Sequence, residues 1–163
     1  MIQITREPNA DSRTAKQDFN KDNLKKATEA HIKHVNCGLK LIVDMLIEAG
    51  KKHDNTKLSN FNDFFEALNS GKVKESNWYQ NHITKERHHL IANVPNDVTL
   101  VDVIEHLVDC VMAGMSRSGE IYDVELSSEV LQLAHKNTVE LLKKNIKVID
   151  SEKNDILDTK ISK

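Results

Sequence analysis

The chain has 163 residues, of which 39% are hydrophobic and 29% charged, and a formal net charge of −2, values typical of one globular domain. Its charges are mixed, and its longest apolar stretch, residues 39–49, is interrupted by Lys40, Asp44 and Glu48, so we expect neither a nucleic-acid partner nor a membrane. The spacing of Cys37 and Cys110 indicates neither a disulfide framework nor a zinc knuckle, and a cytoplasmic, reducing location is expected.

The first half of the chain predicts an arm followed by helices. Only 5 Gly and 2 Pro interrupt the sequence, which favours long helices over short strands. Residues 1–17 are polar and without period, which predicts a flexible arm. Asp22 is a candidate cap for a long helix that Gly50 ends, and Ser59 or Asn60 is a candidate cap for a second helix that closes at 69–71.

The second half continues in the same way. A third helical segment runs over 76–90, Thr99 and Asp102 resemble a capping box, and Ser127 or Ser128 opens a last helix that reaches Ile149. No stretch is predicted as a strand, and the tail from 151 to 163 is predicted to be flexible. The prediction is an all-α domain over 18–150, a compact bundle of about five main helices.

The helix after Thr99 carries an apolar stripe that predicts its core-facing side: Leu100, Ile104, Leu107, Val108, Val111 and Met115. Asp102, Glu105, His106 and Asp109 fall on a neighbouring face. Asp109 is expected near the interior, where a carboxylate needs a partner or a metal. Asp102 is instead expected to interact with the helix N-terminus.

Candidate metal ligands are scattered along the chain in this order: His31, His53, Asp54, His82, His88, His89 and Asp109. Imidazole and carboxylate together suit divalent first-row metals. His31 lies on the apolar face of the first helix, so it is either a hydrogen-bonded core histidine or a ligand, with His34 as the alternative. His82, Glu86 and His89 share one helical face, but His88 and His89 stay interchangeable because the stretch before Pro95 can be irregular.

Taken together, His31, His53-Asp54, Lys57 in the HDNTK of 53–57, and Asp109 resemble the pattern of the HD-domain superfamily of metal-dependent phosphohydrolases. The chain is similar in particular to small HD-like proteins of bacteria and their phages. The similarity rests on HIKHVN at 31–36, HDNTK, ERHH at 86–89 and LVDVIEHLVD at 100–109, and it covers roughly residues 24–142.

The resemblance implies a phosphohydrolase with a divalent ion, whether manganese, iron, cobalt, nickel, zinc or magnesium. The implied ligands are His31, His53, Asp54 and Asp109. His82 with His88 or His89 match the extra histidines of two-metal members. Under the resemblance one ion is implied, and the tight spacing and the absence of a Gly-Tyr-Pro motif leave the second ion open.

The resemblance also implies catalytic roles and a substrate. Lys57 and Arg87 would neutralise the phosphate, while Glu86 or Glu105 would relay a proton, or Glu105 would support Asp109. The expected partner is a small phosphorylated molecule, a nucleotide or deoxynucleotide monophosphate by analogy, and a homodimer is compatible with the pattern.

Three alternatives remain. One is a phosphodiesterase or (p)ppGpp-type pyrophosphohydrolase of the same superfamily, which a long basic groove would favour. Another is a non-catalytic scaffold that binds a metal, a nucleotide or a protein. The last is a helical bundle in which the eight histidines are incidental.

Overall fold

The computed structural model of the chain describes residues 1–6 and 20–149. Most of the predicted arm and all of the predicted tail over 151–163 lie outside these residues. The elements, in chain order, are β1 (Ile2–Thr5), α1 (Lys21–Lys52), α2 (Asn55–Ser59), α3 (Phe61–Asn69), a 3₁₀ turn (Val73–Glu75), α4 (Asn77–Lys85), α5 (Leu100–Arg117), α6 (Ser128–Asn145) and β2 (Ile146–Ile149). Five main helices and the one-turn α2 confirm the predicted all-α class.

The two short strands correct the sequence prediction. β1 pairs in parallel with β2, with Ile2 opposite Ile146 and Thr5 opposite Ile149. Residues 2–5 of the predicted arm are therefore ordered in a sheet, and the last helix ends at Asn145 instead of reaching Ile149. Both runs contain β-branched residues, which fit a strand, but each has only four residues and their partners lie at opposite ends of the chain.

The chain divides into two compact units. Unit 1 comprises Met1–Val43 and Leu141–Lys163, and unit 2 comprises Asp44–Glu140. In unit 1, β1 and β2 form the sheet, and the backbone N–H of Thr5 donates to Nε2 of His34 on α1 at 3.2 Å.

Unit 2 has an apolar core built from Leu90, Val98 and Ala134. The predicted capping box at the start of α5 is confirmed, because the Asp102 carboxylate accepts from the backbone N–H of Thr99 at 2.7 Å. The backbone N–H of Leu100 donates to the hydroxyl of Thr138 on α6 at 2.8 Å. These bonds fix the start of α5 against α6 in the same unit.

The rotation of α5 differs from the prediction. Its fully buried residues are Val101, Asp102, His106 and Gly114, whereas four residues of the predicted core stripe are exposed: Ile104, Leu107, Val108 and Met115. The inward face can be polar because its polar groups have partners, as a buried polar group requires. At Gly114 a Cβ would lie 2.3 Å from the carbonyl oxygen of Glu120, so the loop after α5 packs against this face.

Candidate metal centre

The His53-Asp54 pair lies where α1 ends and α2 begins. Asp54 has φ 55°, a left-handed conformation that few residues other than glycine adopt and that aspartate tolerates better than most. This left-handed residue lies directly after His53 and is the N-cap of α2. In the first turn of α2, Nζ of Lys57 pairs with Oδ2 of Asp54. Lys57 therefore lies beside Asp54, as its spacing in the sequence indicates.

α4 and the turn that follows it supply the other histidines. His82 is buried, and its ring stacks on Trp78 with centroids 4.8 Å apart. Its Nδ1 bonds to the hydroxyl of Thr56 at 2.6 Å and its Nε2 to Nε2 of His89 at 2.8 Å. α4 ends at Lys85, so His88 lies in an irregular turn, as the sequence allowed.

Four side chains converge at the centre of this cluster. Nε2 of His53 lies 3.6 Å from Oδ2 of Asp54 and 3.5 Å from Oδ1 of Asp109. Nε2 of His88 lies 3.8 Å from Oδ1 of Asp54 and 4.0 Å from Oδ2 of Asp109. Ligand atoms that share one metal ion at about 2.0–2.2 Å lie about 3–4 Å from one another. Each of the four separations is in that range, but the two imidazoles approach different oxygens of each carboxylate. In the part of the chain that the structure describes, the sets of three whose ligand atoms all lie within 4.8 Å of one another do not include Asp109.

Glu105 lies behind the two imidazoles. Its Oε1 is 3.0 Å from Nδ1 of His53 and 3.2 Å from Nδ1 of His88. An ionised carboxylate only accepts hydrogen bonds, so Nδ1 of His53, which bonds to it, carries the proton. A carboxylate on one ring nitrogen is the usual way in which a ligating histidine is oriented. Glu105 thus orients the ring of His53, whose Nε2 faces Asp54 and Asp109, whereas Nδ1 of His88 lies at ion-pair distance from Glu105 without a regular hydrogen bond.

The acidic groups of the cluster are stabilised as anions. Burial alone would raise the pKa of Asp54, but the hydrogen bond and charge of Lys57, with His53 and His88, outweigh burial and lower it. Burial likewise opposes the charge on Glu105, but its contacts with His88 and His53 lower its pKa. Both carboxylates are therefore ionised at neutral pH.

The pKa values of the three histidines that follow α3, His82, His88 and His89, are shifted in different directions. Burial favours neutral His88, but the nearby Glu105, Asp109 and Asp54 outweigh it and raise its pKa. Burial, with the charges of His88 and His82, lowers the pKa of His89 to about 4. Burial is also the main reason that the pKa of His82 is lowered. His82 and His89 are therefore neutral at pH 7, the form in which imidazole binds metals.

Buried polar atoms without a hydrogen-bond partner lie in the same cluster. Among the described residues, Oδ1 of Asp54 is buried without a regular hydrogen bond. The same holds for both ring nitrogens of His88, a residue that is only 1% exposed. A buried polar atom without a partner is costly, and a metal ion would satisfy it. Two sets of three residues bring their ligand atoms within 4.8 Å of one another: His53, His88 and Glu105, and Asp54, His88 and His89. The donor set of imidazole and carboxylate fits a divalent ion.

The structure does not bring every sequence-predicted residue to the cluster. His31 lies in unit 1, exposed on α1, where it lines a groove with His34. Of the two sets of three described residues whose ligand atoms lie within 4.8 Å of one another, neither includes His31, and both include His88.

Arg87 and Glu86 form hydrogen bonds with residues other than the clustered ligands. The guanidinium of Arg87 donates to both carboxylate oxygens of Asp102, at 2.7 and 2.9 Å, and to Asp97 at 3.0 Å. The carboxylate of Glu86 accepts from the backbone N–H of Thr56 at 2.8 Å, which supports the start of α2. Both side chains thus secure backbone elements around the cluster.

Two supporting residues were not assigned these roles from the sequence. Glu105 bonds to His53, and His106 bonds through Nδ1 to the carbonyl oxygen of His88 at 2.9 Å, which fixes that turn. One signal was available for Glu105, because Glu105 and Asp109 are four residues apart and share a helical face. Nothing in the local sequence indicates the contact of His106.

A search of protein-family models, of curated proteins and of solved structures finds no match to this chain. Among the helices that the structure describes, none is long and apolar enough to cross a membrane.

Proposed function

We propose that this chain is a metal-dependent phosphohydrolase of the HD type that acts on a small phosphorylated substrate. The observation that carries the proposal is the convergence of Nε2 of His53 and Nε2 of His88 on the carboxylates of Asp54 and Asp109. Glu105 contributes by orienting the ring of His53 through its Nδ1 and by placing a carboxylate 3.2 Å from Nδ1 of His88. His53, Asp54 and Asp109 match the HD-like pattern, and His88 would replace His31 in the ligand set.

The charge of the cluster explains why a phosphate would need the metal. Asp54, Glu105 and Asp109 contribute three negative charges and Lys57 one positive charge, a net −2 when the histidines are neutral. Such a site repels a phosphate anion. One divalent ion would cancel this charge, and Lys57 would then be the side chain able to donate to a phosphoryl oxygen.

The chemistry assigned to the metal is the lowering of the pKa of a bound water and the polarisation of a phosphoryl oxygen. The protein residues do the rest. Asp54 and Asp109 would supply anionic ligands, His53 and His88 would supply neutral ones, and Glu105 bonds to Nδ1 of His53 and lies 3.2 Å from Nδ1 of His88. His82 and His89 lie beside Asp54 as the side chains that a second ion would use.

The test is to measure metal content and phosphate release on one preparation. The purified chain is loaded with manganese, cobalt, nickel or zinc, and the ion is counted by mass spectrometry. Release is then followed from nucleotide monophosphates, the first class to test by resemblance, and from simple monoesters, phosphodiesters and pyrophosphates. We expect about one ion per chain, or two, and release from monoesters.

The variants are chosen to keep the backbone intact. Asp54→Asn is preferred to Asp54→Ala because asparagine also tolerates the left-handed conformation at this position. We expect Asp54→Asn and His88→Ala to lose metal and turnover, whereas the matched control His31→Ala keeps both. Metal without release from any ester would overturn the enzymatic proposal and favour a metal-binding scaffold. No metal at all would overturn the site.

A further inference from the structure

An open cleft lies beside the candidate metal centre, within unit 2. Its volume is about 400 Å³. Three residues of the cluster, His53, Glu105 and Asp109, line it. The remaining lining residues carry no polar side chain: Leu46, Ala49, Gly50, Ile104, Val108 and Met112. The cleft is therefore apolar except where it meets the cluster.

The apolar wall of the cleft is exposed to solvent. Ile104 is 39% exposed, Val108 51% and Met112 64%, and all three lie on the same face of α5. Exposed apolar area of this kind is unfavourable in water, and an apolar patch beside a polar cluster is typical of a ligand pocket. The opposite face of α5 buries polar groups instead, so the apolar face is turned toward the cleft and solvent.

The lining restricts what the cleft can recognise. A nucleobase is read through hydrogen bonds, and outside the cluster the lining residues offer no side-chain donor or acceptor. They also carry no charge that could bind a second phosphate or an ammonium group. The volume lies in the range of about 300–1,000 Å³ that is usual for ligand pockets, so an aromatic ring or a short alkyl chain fits.

We infer that this cleft binds the uncharged, apolar alcohol portion of a phosphate monoester, with its phosphate directed toward the candidate metal centre. The inference rests on the proposed function and narrows its substrate class, from small phosphorylated molecules in general to monoesters of apolar alcohols. Nucleotides, which the resemblance favours, would then be poor substrates. A second copy of this chain on the exposed face of α5 is the competing occupant.

The experiment compares two non-hydrolysable probes on the metal-loaded chain, so that it does not depend on turnover. Benzylphosphonate and methylphosphonate share the anionic group and differ only in the apolar ring. Their dissociation constants are measured by titration calorimetry, and metal content is determined on the same samples. We expect benzylphosphonate to bind about tenfold more tightly than methylphosphonate, because only its ring removes apolar surface from water.

Two methionine variants test whether the ring of benzylphosphonate binds in the cleft. Met112→Ser shortens a residue that lines the cleft, and Met115→Ser changes a comparably exposed methionine of the same helix that does not line it. We expect Met112→Ser to weaken benzylphosphonate about three- to fivefold and to leave methylphosphonate unchanged. Met115→Ser should change neither constant.

The experiment distinguishes a failure of this inference from a failure of the proposed function. Metal-loaded protein that binds both phosphonates equally would overturn this inference and leave the proposed function standing. A chain that binds neither metal nor either phosphonate would overturn the proposed function and, with it, this inference. A dimer in sedimentation velocity that both methionine variants dissociate, without a preference for benzylphosphonate, would assign the face to a second copy and overturn the inference.

Discussion

Two regions of the chain carry neighbouring histidines, His31 and His34 in unit 1 and His53 and His88 in unit 2. The groove around His31 and His34 is lined mainly by aliphatic side chains, and within the described residues no carboxylate lines it. Nε2 of His34 already accepts the backbone N–H of Thr5. In unit 2, by contrast, carboxylates surround both imidazoles and atoms of His88 have no regular partner. Nearby anions and unsatisfied nitrogens, not histidine number, therefore distinguish a candidate metal site.

The largest expected effect is on metal affinity at the cluster. Replacing His88 with alanine removes a ligand and should weaken manganese or zinc binding by at least about 100-fold, more than the loss of an outer partner usually costs. The matched change His31→Ala should leave affinity within about twofold, since His31 belongs to neither set of clustered ligand atoms. Affinities are measured by competition with a chromophoric chelator. Equal losses in the two variants would show that the comparison between the regions is wrong.

The next effect concerns the orientation of the rings. Glu105→Gln keeps the size of the side chain but removes the negative charge that lies against Nδ1 of His53 and His88. Metal affinity should fall about 10- to 100-fold without loss of helical signal in circular dichroism. Glu66→Gln, an exposed glutamate of α3, serves as the control. Unchanged affinity in Glu105→Gln would remove Glu105 from the site.

A smaller effect, on stability, is expected at the contact between Arg87 and Asp102. Arg87→Met breaks the guanidinium contacts with Asp102, whose carboxylate is buried. Hydrogen bonds to charged groups contribute about 1.5–3 kcal/mol, so the free energy of unfolding in urea should fall by about that amount. Metal affinity should stay unchanged. An exposed lysine of α4 provides the control Lys85→Met, and loss of metal without loss of stability would place Arg87 in the site instead.

The smallest effect belongs to the histidines of unit 1. His34→Ala removes one hydrogen bond, to the backbone N–H of Thr5, and should lower the free energy of unfolding by about 1 kcal/mol or less. The Thr5 amide should exchange its hydrogen faster in this variant, as measured by NMR. His135→Ala, an exposed histidine of α6, should change neither quantity. A loss of bound metal in His34→Ala would contradict the structural role assigned here to His34.

Some local features of the fold could be read from the sequence, although α1 begins before Asp22 and continues past Gly50, and the packing of the helix faces could not. The capping box of Thr99 and Asp102 and the start of α4 at Ser76 follow from short-range chemistry, and both are confirmed. The predicted rotation of α5 is wrong because the prediction places its apolar stripe in the core, where the structure places Asp102 and His106. Its inward face instead satisfies Asp102 and His106 through Arg87 and the carbonyl of His88.

The sequence by itself determined most of the helices and the pairing of Asp54 with Lys57. Asp54 and Lys57 are three residues apart and pair in the first turn of α2. Only the tertiary structure decided that the rings of His53 and His88 lie 4.2 Å apart and that Glu105 lies against Nδ1 of both. The physical reason is distance along the chain: His53 and Glu105 are separated by 52 residues. Which buried polar groups satisfy one another across that separation depends on how helices pack, and helical periodicity does not encode it.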